Sequence, residues 1–199
     1  MSLELSRDVV VLGASLGGVQ ALCQLVSRLP GGFRGCLIIV LHTSPRSPRL
    51  LADILGRYTS LSVVYARPRD PVEPGRIYIA PPMHHLVIGT SGRLQLSDGP
   101  KENFSKPAVD PLFRSAARVF GPRVIGVVLT GGDGDGTAGL RAIKAAGGIS
   151  IVQDPAEAAD PGMPSKAIEG DHPDYIVTLK EIPGLLVSIA NAAGGEVRE

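Results

Sequence analysis

The stretch Val9-Val10-Val11-Leu12-Gly13-Ala14-Ser15-Leu16-Gly17-Gly18 decides how the rest of the chain is read. Val9 to Leu12 is an aliphatic run with no alternating polar partner, the pattern of a strand buried on both faces, and that pattern belongs to parallel sheets. The glycine-rich turn opens into Val19 to Leu29, where apolar residues recur at helical spacing. Strand, turn and helix make the first half of a crossover unit, and the chain repeats it. Further Val- and Ile-rich runs stand at Leu37 to Leu41, Leu61 to Tyr65, Arg76 to Ala80, Val124 to Leu129, Ile149 to Val152 and Tyr175 to Thr178. Helical periodicity separates several of them, at Pro48 to Tyr58, Asp110 to Phe120, Thr137 to Ala146, Pro164 to Ile168 and Leu179 to Ala193. His85 to Ile88 and Arg93 to Leu96, joined through Gly89-Thr90-Ser91-Gly92, read as a β-hairpin. Ser97 to Val109 is too polar and turn-rich for a regular element and reads as an ordered loop. The expected fold is α/β, a doubly wound and mostly parallel sheet with helices on both faces and an appended antiparallel hairpin, spanning 1–199 as one domain.

Composition narrows the function. With 44% apolar and 20% charged residues the chain is neither a disordered tail nor a coiled coil. The 25 glycines and 17 prolines call for many tight turns between short elements. Four Tyr, four Phe and no Trp leave little for base stacking, and a formal charge of +1 gives no broad phosphate-attracting field, so nucleic acid is not an expected partner. Cys23 and Cys36, in apolar surroundings and without CxxC spacing, read as buried thiols of a reducing compartment. Met1 to Asp8 carries Glu4, Arg7 and Asp8 and no apolar signal core, and Cys36 to Leu41 is too short to span a bilayer. A cytoplasmic protein without membrane insertion is expected.

In an open α/β sheet, ligands bind beyond the carboxyl ends of the strands. Read in order, those ends present Ser15, then His42-Thr43-Ser44-Pro45, then Thr130-Gly131-Gly132-Asp133-Gly134-Asp135-Gly136. A serine hydroxyl becomes a useful nucleophile when an imidazole takes its proton and a carboxylate holds the imidazole in one tautomer. Ser15, His42 and Asp135 supply those three groups. Gly13-Ala14-Ser15-Leu16-Gly17 fits the G-x-S-x-G turn, although the order Ser, His, Asp differs from that of α/β-hydrolases. The amides of Leu16, at the start of a helix, and of Gly132 are candidates for holding an oxyanion. Each residue also has a plainer reading: Ser15 as a helix cap or turn residue, His42 as a satisfied strand-end histidine, Asp135 as turn chemistry. Three separate strand ends presenting the three residue types set a hydrolase beside those readings.

Two rival motifs are weaker. Gly13 to Gly18 lacks the G-x-G-x-x-G spacing of a dinucleotide turn, and the second strand ends in His42 where the ribose would need an acid. Asp133 to Thr137 starts like a calcium loop, but its sixth position is Ala138 and its twelfth Lys144. No metal site is expected.

Taken together these residues resemble the protein-glutamate methylesterases of bacterial chemotaxis, the CheB catalytic domain. The resemblance covers nearly the whole chain. It rests on Gly13 to Gly18, Leu41-His42, Tyr78-Ile79-Ala80-Pro81 with His85, Pro107 to Ala117, Leu129-Thr130-Gly131 with Asp135-Gly136, and Gln153-Asp154 with Gly162-Met163-Pro164. It implies a serine hydrolase that removes methyl esters from glutamyl residues on the cytoplasmic helices of methyl-accepting chemoreceptors, in some members also deamidating glutamine. It implies Ser15 as nucleophile, His42 as base and Asp135 as its orienter, with no cofactor. His85 matches a family position and is a candidate pocket residue. His84 reads as surface or hairpin structure, and Asp110 as the cap of its own helix.

The chain departs from the family in three places. Members typically carry an N-terminal phosphoacceptor receiver domain, whereas here the first strand begins at about Val9, so control in cis is expected to be missing and a separate receiver-domain protein is the candidate regulator. The family's Gly-Met-Gly-Asn before the triad acid is replaced by Gly131-Gly132-Asp133-Gly134, and the usual Met-Pro after His42 by Thr43-Ser44-Pro45. Asp133 is therefore either a solvated turn carboxylate or a pocket group that disfavours a second anion. Two alternatives remain: a stand-alone esterase or amidase acting on another substrate, and a regulatory protein that binds methylated helices without hydrolysis. A phosphate or nucleotide binder stands third.

Overall fold

The computed structural model describes residues 6–192. Strand β1, Val9–Ala14, is buried at every position, because it runs through the middle of a seven-stranded sheet. The other strands of that sheet are β2 (Cys36–Leu41), β3 (Ser62–Tyr65), β4 (Arg76–Ile79), β7 (Val124–Val128), β8 (Ile149–Gln153) and β9 (Tyr175–Val177). Strands β5 (His85–Ile88) and β6 (Leu94–Ser97) pair antiparallel as a separate hairpin. The helices are α1 (Gly18–Val26), α2 (Leu51–Gly56), α3 (Val109–Phe120), α4 (Thr137–Ala145), α5 (Gly162–Asp171) and α6 (Ile182–Ala192). The strand order is β3-β4-β2-β1-β7-β8-β9, with every pairing parallel. From β1 the chain builds one side of the sheet and then returns to build the other from β7. The crevice beyond the carboxyl end of β1 is thus the switch point of the winding, the place where such sheets bind ligands.

The period of two along β1 divides the molecule. Val10, Leu12 and Ala14 face a core shared with Leu22 and Leu25 of α1 and Ile182 and Leu186 of α6. Val9 and Val11 face a second core with Leu112 and Phe113 of α3, Leu140 and Ile143 of α4, and Leu86 of the hairpin. Both faces of the sheet are covered, which is why its central strands carry no polar alternation. Gly13 matters to this packing: a Cβ there would come within 2.5 Å of Val109 Cγ1. Its absence lets the first residue of α3 lie directly on β1.

The expected elements are present, with shifted ends. Helix α1 stops at Val26 and not at Leu29, because Pro30 disfavours helical backbone at the residue before it. Helix α2 begins at Leu51, three residues after Pro48. Helix α5 begins at Gly162, ahead of Pro164, which sits in the first turn where a missing amide proton breaks no helical bond, and it runs on to Asp171. Ahead of α6, Glu181 accepts from both the amide and the hydroxyl of Thr178, at 2.9 and 2.6 Å, closing the turn that leads into the helix. Ala193, expected as the last residue of that helix, and Met1 to Leu5 lie outside the described residues. Cys36 is buried, which pushes its thiol up to about 12, while Cys23 is half-buried. Among the described residues no helix is long and apolar enough to cross a membrane.

His85 corrects one expectation. Its ring is buried in the hairpin, accepting the Ala108 amide proton at Nδ1 over 3.1 Å and donating from Nε2 to the Pro100 carbonyl over 2.9 Å. Both nitrogens are committed to holding the loop that leads into α3. We expect His85→Ala to lower stability by about 1–3 kcal/mol, because the buried Ala108 amide loses its acceptor. A chemical denaturation midpoint that did not move would show that the ring holds nothing.

Candidate functional site

Ser15, His42 and Asp135 stand beyond the carboxyl ends of β1, β2 and β7: His42 is hydrogen-bonded to Asp135 and shares a cavity with Ser15, and among the described residues no hydrogen bond joins Ser15 to the ring. The placement starts from backbone. His42 donates its amide proton to the Ala14 carbonyl at 3.0 Å, extending the β1–β2 ladder by one residue, and Ser15 donates to the Thr130 carbonyl at 2.9 Å on the other side. The turn into α1 is then made at Gly17, whose φ of 77° is open to glycine without strain. Ser15 itself is not in the left-handed region. The likeness to a nucleophile elbow therefore ends at the glycine pattern, because the sharp bend falls two residues later.

Asp135 is the most determined residue of the site. Its side chain is fully buried and accepts four hydrogen bonds. Oδ2 takes His42 Nε2 at 2.8 Å and the Val109 amide at 2.6 Å; Oδ1 takes the Asp110 amide at 3.0 Å and Asn103 Nδ2 at 2.9 Å. Burial alone would raise its pKa, but the imidazole, the two amides and Asn103 outweigh it and hold the carboxyl below its ordinary value. The two amides belong to the first turn of α3, so the carboxylate also lies at the positive end of that helix. An ionised Asp135 only accepts, so Nε2 of His42 carries a proton and Nδ1 is the nitrogen left free to act as a base.

Asp110 is also placed differently from the sequence expectation. It caps not its own helix but α4, accepting the amides of Gly136 and Gly139 through Oδ1 at 3.1 and 2.7 Å. Asp135, just ahead of α4, caps α3 in return, and Asn103 ties the two acids by donating to both, at 3.1 Å to Asp110 Oδ2. Burial pushes the Asp110 carboxyl up, and the neighbouring Asp135 charge adds to that. Asn103 was missed by the sequence reading. It lies in the polar loop before α3 with no local motif, and only the tertiary fold brings it to Asp135.

Ser15 and His42 line one cavity of about 390 Å³, whose other walls include Leu41, Leu51, Ile79 and Tyr65. This is a slot with a polar end and apolar sides. Among the described residues, no protein acceptor takes the amide protons of Leu16 or Gly132, and Gly132 is exposed. Neither amide is spent within the fold, although neither residue lines this cavity. Of the two candidate pocket residues, neither His85 nor Asp133 lines this cavity. His85 is committed to the hairpin loop, while Asp133 approaches from the far side of the imidazole, its Oδ2 3.4 Å from His42 Nδ1. His84 pairs with Asp98 at the surface. Thr130, quoted above only as part of a motif, is a clamp: its hydroxyl donates to the Leu16 carbonyl at 2.8 Å and accepts the Asp160 amide at 2.8 Å, joining the loops on either side of Ser15.

The chain is similar in sequence and fold to known proteins along most of its length. Residues 10–186 match the family described as CheB methylesterase. A relative from Leptospira interrogans is 35% identical over 185 residues, which are 93% of this chain and 96% of that protein. A protein-glutamate methylesterase/protein-glutamine glutaminase of Anaeromyxobacter dehalogenans is 44% identical over 179 residues, and there the chain spans 52% of the relative's length. The crystal structure of the Thermotoga maritima CheB methylesterase catalytic domain superposes with a TM-score of 0.88 at 34% identity, covering 92% of this chain and 99% of that one.

Proposed function

The chain belongs to the CheB methylesterase family, and from that premise we propose that it hydrolyses glutamyl methyl esters of chemoreceptor helices through Ser15, His42 and Asp135. The observation that carries the proposal is the hydrogen bond from His42 Nε2 to the ionised, four-fold satisfied Asp135, made where Ser15 opens onto the same cavity. That bond leaves Nδ1 as the base. Ser15 Oγ attacks the ester carbonyl and its proton passes to Nδ1, while the amides of Leu16 and Gly132 receive the charge that develops on the carbonyl oxygen. As the C–OCH3 bond breaks, Nδ1 returns the proton to the leaving oxygen and methanol departs. Water then adds to the acyl-Ser15 carbonyl, giving a proton to Nδ1, and that proton goes back to Oγ as the acyl bond breaks and glutamate is released. Deamidation of glutamine follows the same path with ammonia as the leaving group. No step draws on a cofactor.

A methyl group offers little surface to grip. Affinity must come from the polypeptide around the ester, so the protein substrate should be strongly preferred to a small one. The test compares methanol release from methylated receptor cytoplasmic fragments with turnover of nitrophenyl acetate. We expect kcat/KM on the receptor fragment to be higher by at least about tenfold. Turnover of nitrophenyl acetate alone would mark a stand-alone esterase, and failure of a fluorophosphonate probe to label Ser15 would mark a non-catalytic binder.

A further inference from the structure

Asp133 touches the base but has no part in the steps just described. Its Oδ1 accepts the Asp135 amide proton at 3.0 Å, which fixes the side chain to its own loop, and its Oδ2 faces His42 Nδ1 at 3.4 Å. The imidazole therefore stands between two carboxylates, Asp135 on Nε2 and Asp133 on the nitrogen that must take the Ser15 proton. A bare Nδ1 lone pair and an ionised carboxylate repel each other across that gap. A proton on Nδ1 turns the same contact into an ion pair. From this geometry we infer that Asp133 is a positioning residue that favours the imidazolium of His42, withholding the base in acid and supporting the imidazolium once Ser15 has given up its proton. The inference rests on the catalytic reading above.

The charged groups around the ring are few. Asp133 and Asp135 face it, Asp110 lies behind Asp135 through Asn103, and the Lys166 stem passes beside the loop at Gly134. Among the described residues His42 is the one basic side chain Asp133 meets within salt-bridge distance. The Asp133 side chain is 38% exposed against 9% for the ring, so solvent screens the pair and its effect is modest.

Favouring the imidazolium has opposite consequences on the two sides of the pH profile. In acid it keeps the base protonated and slows attack; on the plateau it stabilises the ion pair that forms as the Ser15 proton moves. Asp133→Asn keeps an oxygen for the Asp135 amide and removes the charge. With nitrophenyl acetate, the acid limb of kcat/KM is expected to lie at lower pH in the variant. Its plateau should fall a few-fold through kcat with KM unchanged, so that the two profiles cross. A side chain that only shaped the loop would lower the whole profile without moving it. The 15N resonances of His42, assigned by their loss in His42→Gln, give a reading that needs no turnover: Nδ1 should keep its proton to higher pH in the wild type than in Asp133→Asn. Profiles that superimpose, or His42 resonances that titrate together in the two proteins, overturn the inference. An inactive wild type sinks the catalytic reading instead, and the resonances then still decide whether Asp133 holds the proton.

Discussion

Replacing Ser15 by alanine is expected to lower ester hydrolysis by at least about three orders of magnitude and to leave the melting temperature nearly where it was. The two halves of that expectation have different origins. The rate falls because acyl transfer to the enzyme needs the hydroxyl, and what remains is the contribution of binding and of the amides at Leu16 and Gly132. The fold survives because the residue is held by backbone, its amide on the Thr130 carbonyl and its carbonyl on the Gly18 amide, both at 2.9 Å, and neither bond involves the side chain. A surface-facing change of this kind shifts stability by no more than about 0.5 kcal/mol. Methanol release and nitrophenyl acetate turnover, set beside a thermal melt, read both halves. An alanine variant that kept normal turnover would remove Ser15 from the mechanism, and an unfolded one would show that the hydroxyl holds the loop.

Asp135→Asn should be damaging in both respects. All four partners of the carboxylate are donors, so whichever way the amide turns, its NH2 meets either the Asp110 amide and Asn103 or the Val109 amide and His42 Nε2. Relief is available at the ring. His42 can place its proton on Nδ1 and accept at Nε2, but that tautomer has lost its base. We expect kcat/KM to fall by about three to four orders of magnitude and stability by at least about 2 kcal/mol, since hydrogen bonds to a charged acceptor are lost in a buried place. The stability half carries a sign that pH can check. The folded state holds the Asp135 carboxyl below its ordinary value, so its contribution is complete above the unfolded carboxylate pKa of about 3.9 and is lost as pH falls through the folded value. The melting-temperature gap between wild type and Asp135→Asn should therefore be wide at neutral pH and narrow in strong acid. A gap that widened as pH fell would contradict the assigned cause.

Much of this candidate site is legible in the sequence, and the reason is local. Unbroken aliphatic runs such as Val9 to Leu12 read as strands buried on both faces, because a parallel sheet covered by helices excludes water from both sides of the strand. Once a parallel sheet is accepted, the residues just after each strand are known to share one edge. Ser15, His42 and Asp135 could thus be grouped without knowing the strand order. The His85 expectation failed for the complementary reason: a family position says where a residue sits in the chain, whereas the use of its two nitrogens depends on the Pro100 carbonyl and the Ala108 amide that the hairpin brings to it.

The sequence by itself determined the alternation of strand and helix, the glycine turn after β1 and the three residue types presented at the sheet edge, all of which follow from periodicity and steric rules acting over a few neighbouring residues. Only the tertiary structure decided which acid caps which helix, that Asn103 joins Asp110 to Asp135, and which nitrogen of His42 is left as the base. Those are contacts between groups as many as 93 residues apart in the chain. Their geometry is set when the two cores close around the sheet, and no local pattern of side chains encodes a hydrogen-bond direction across that distance.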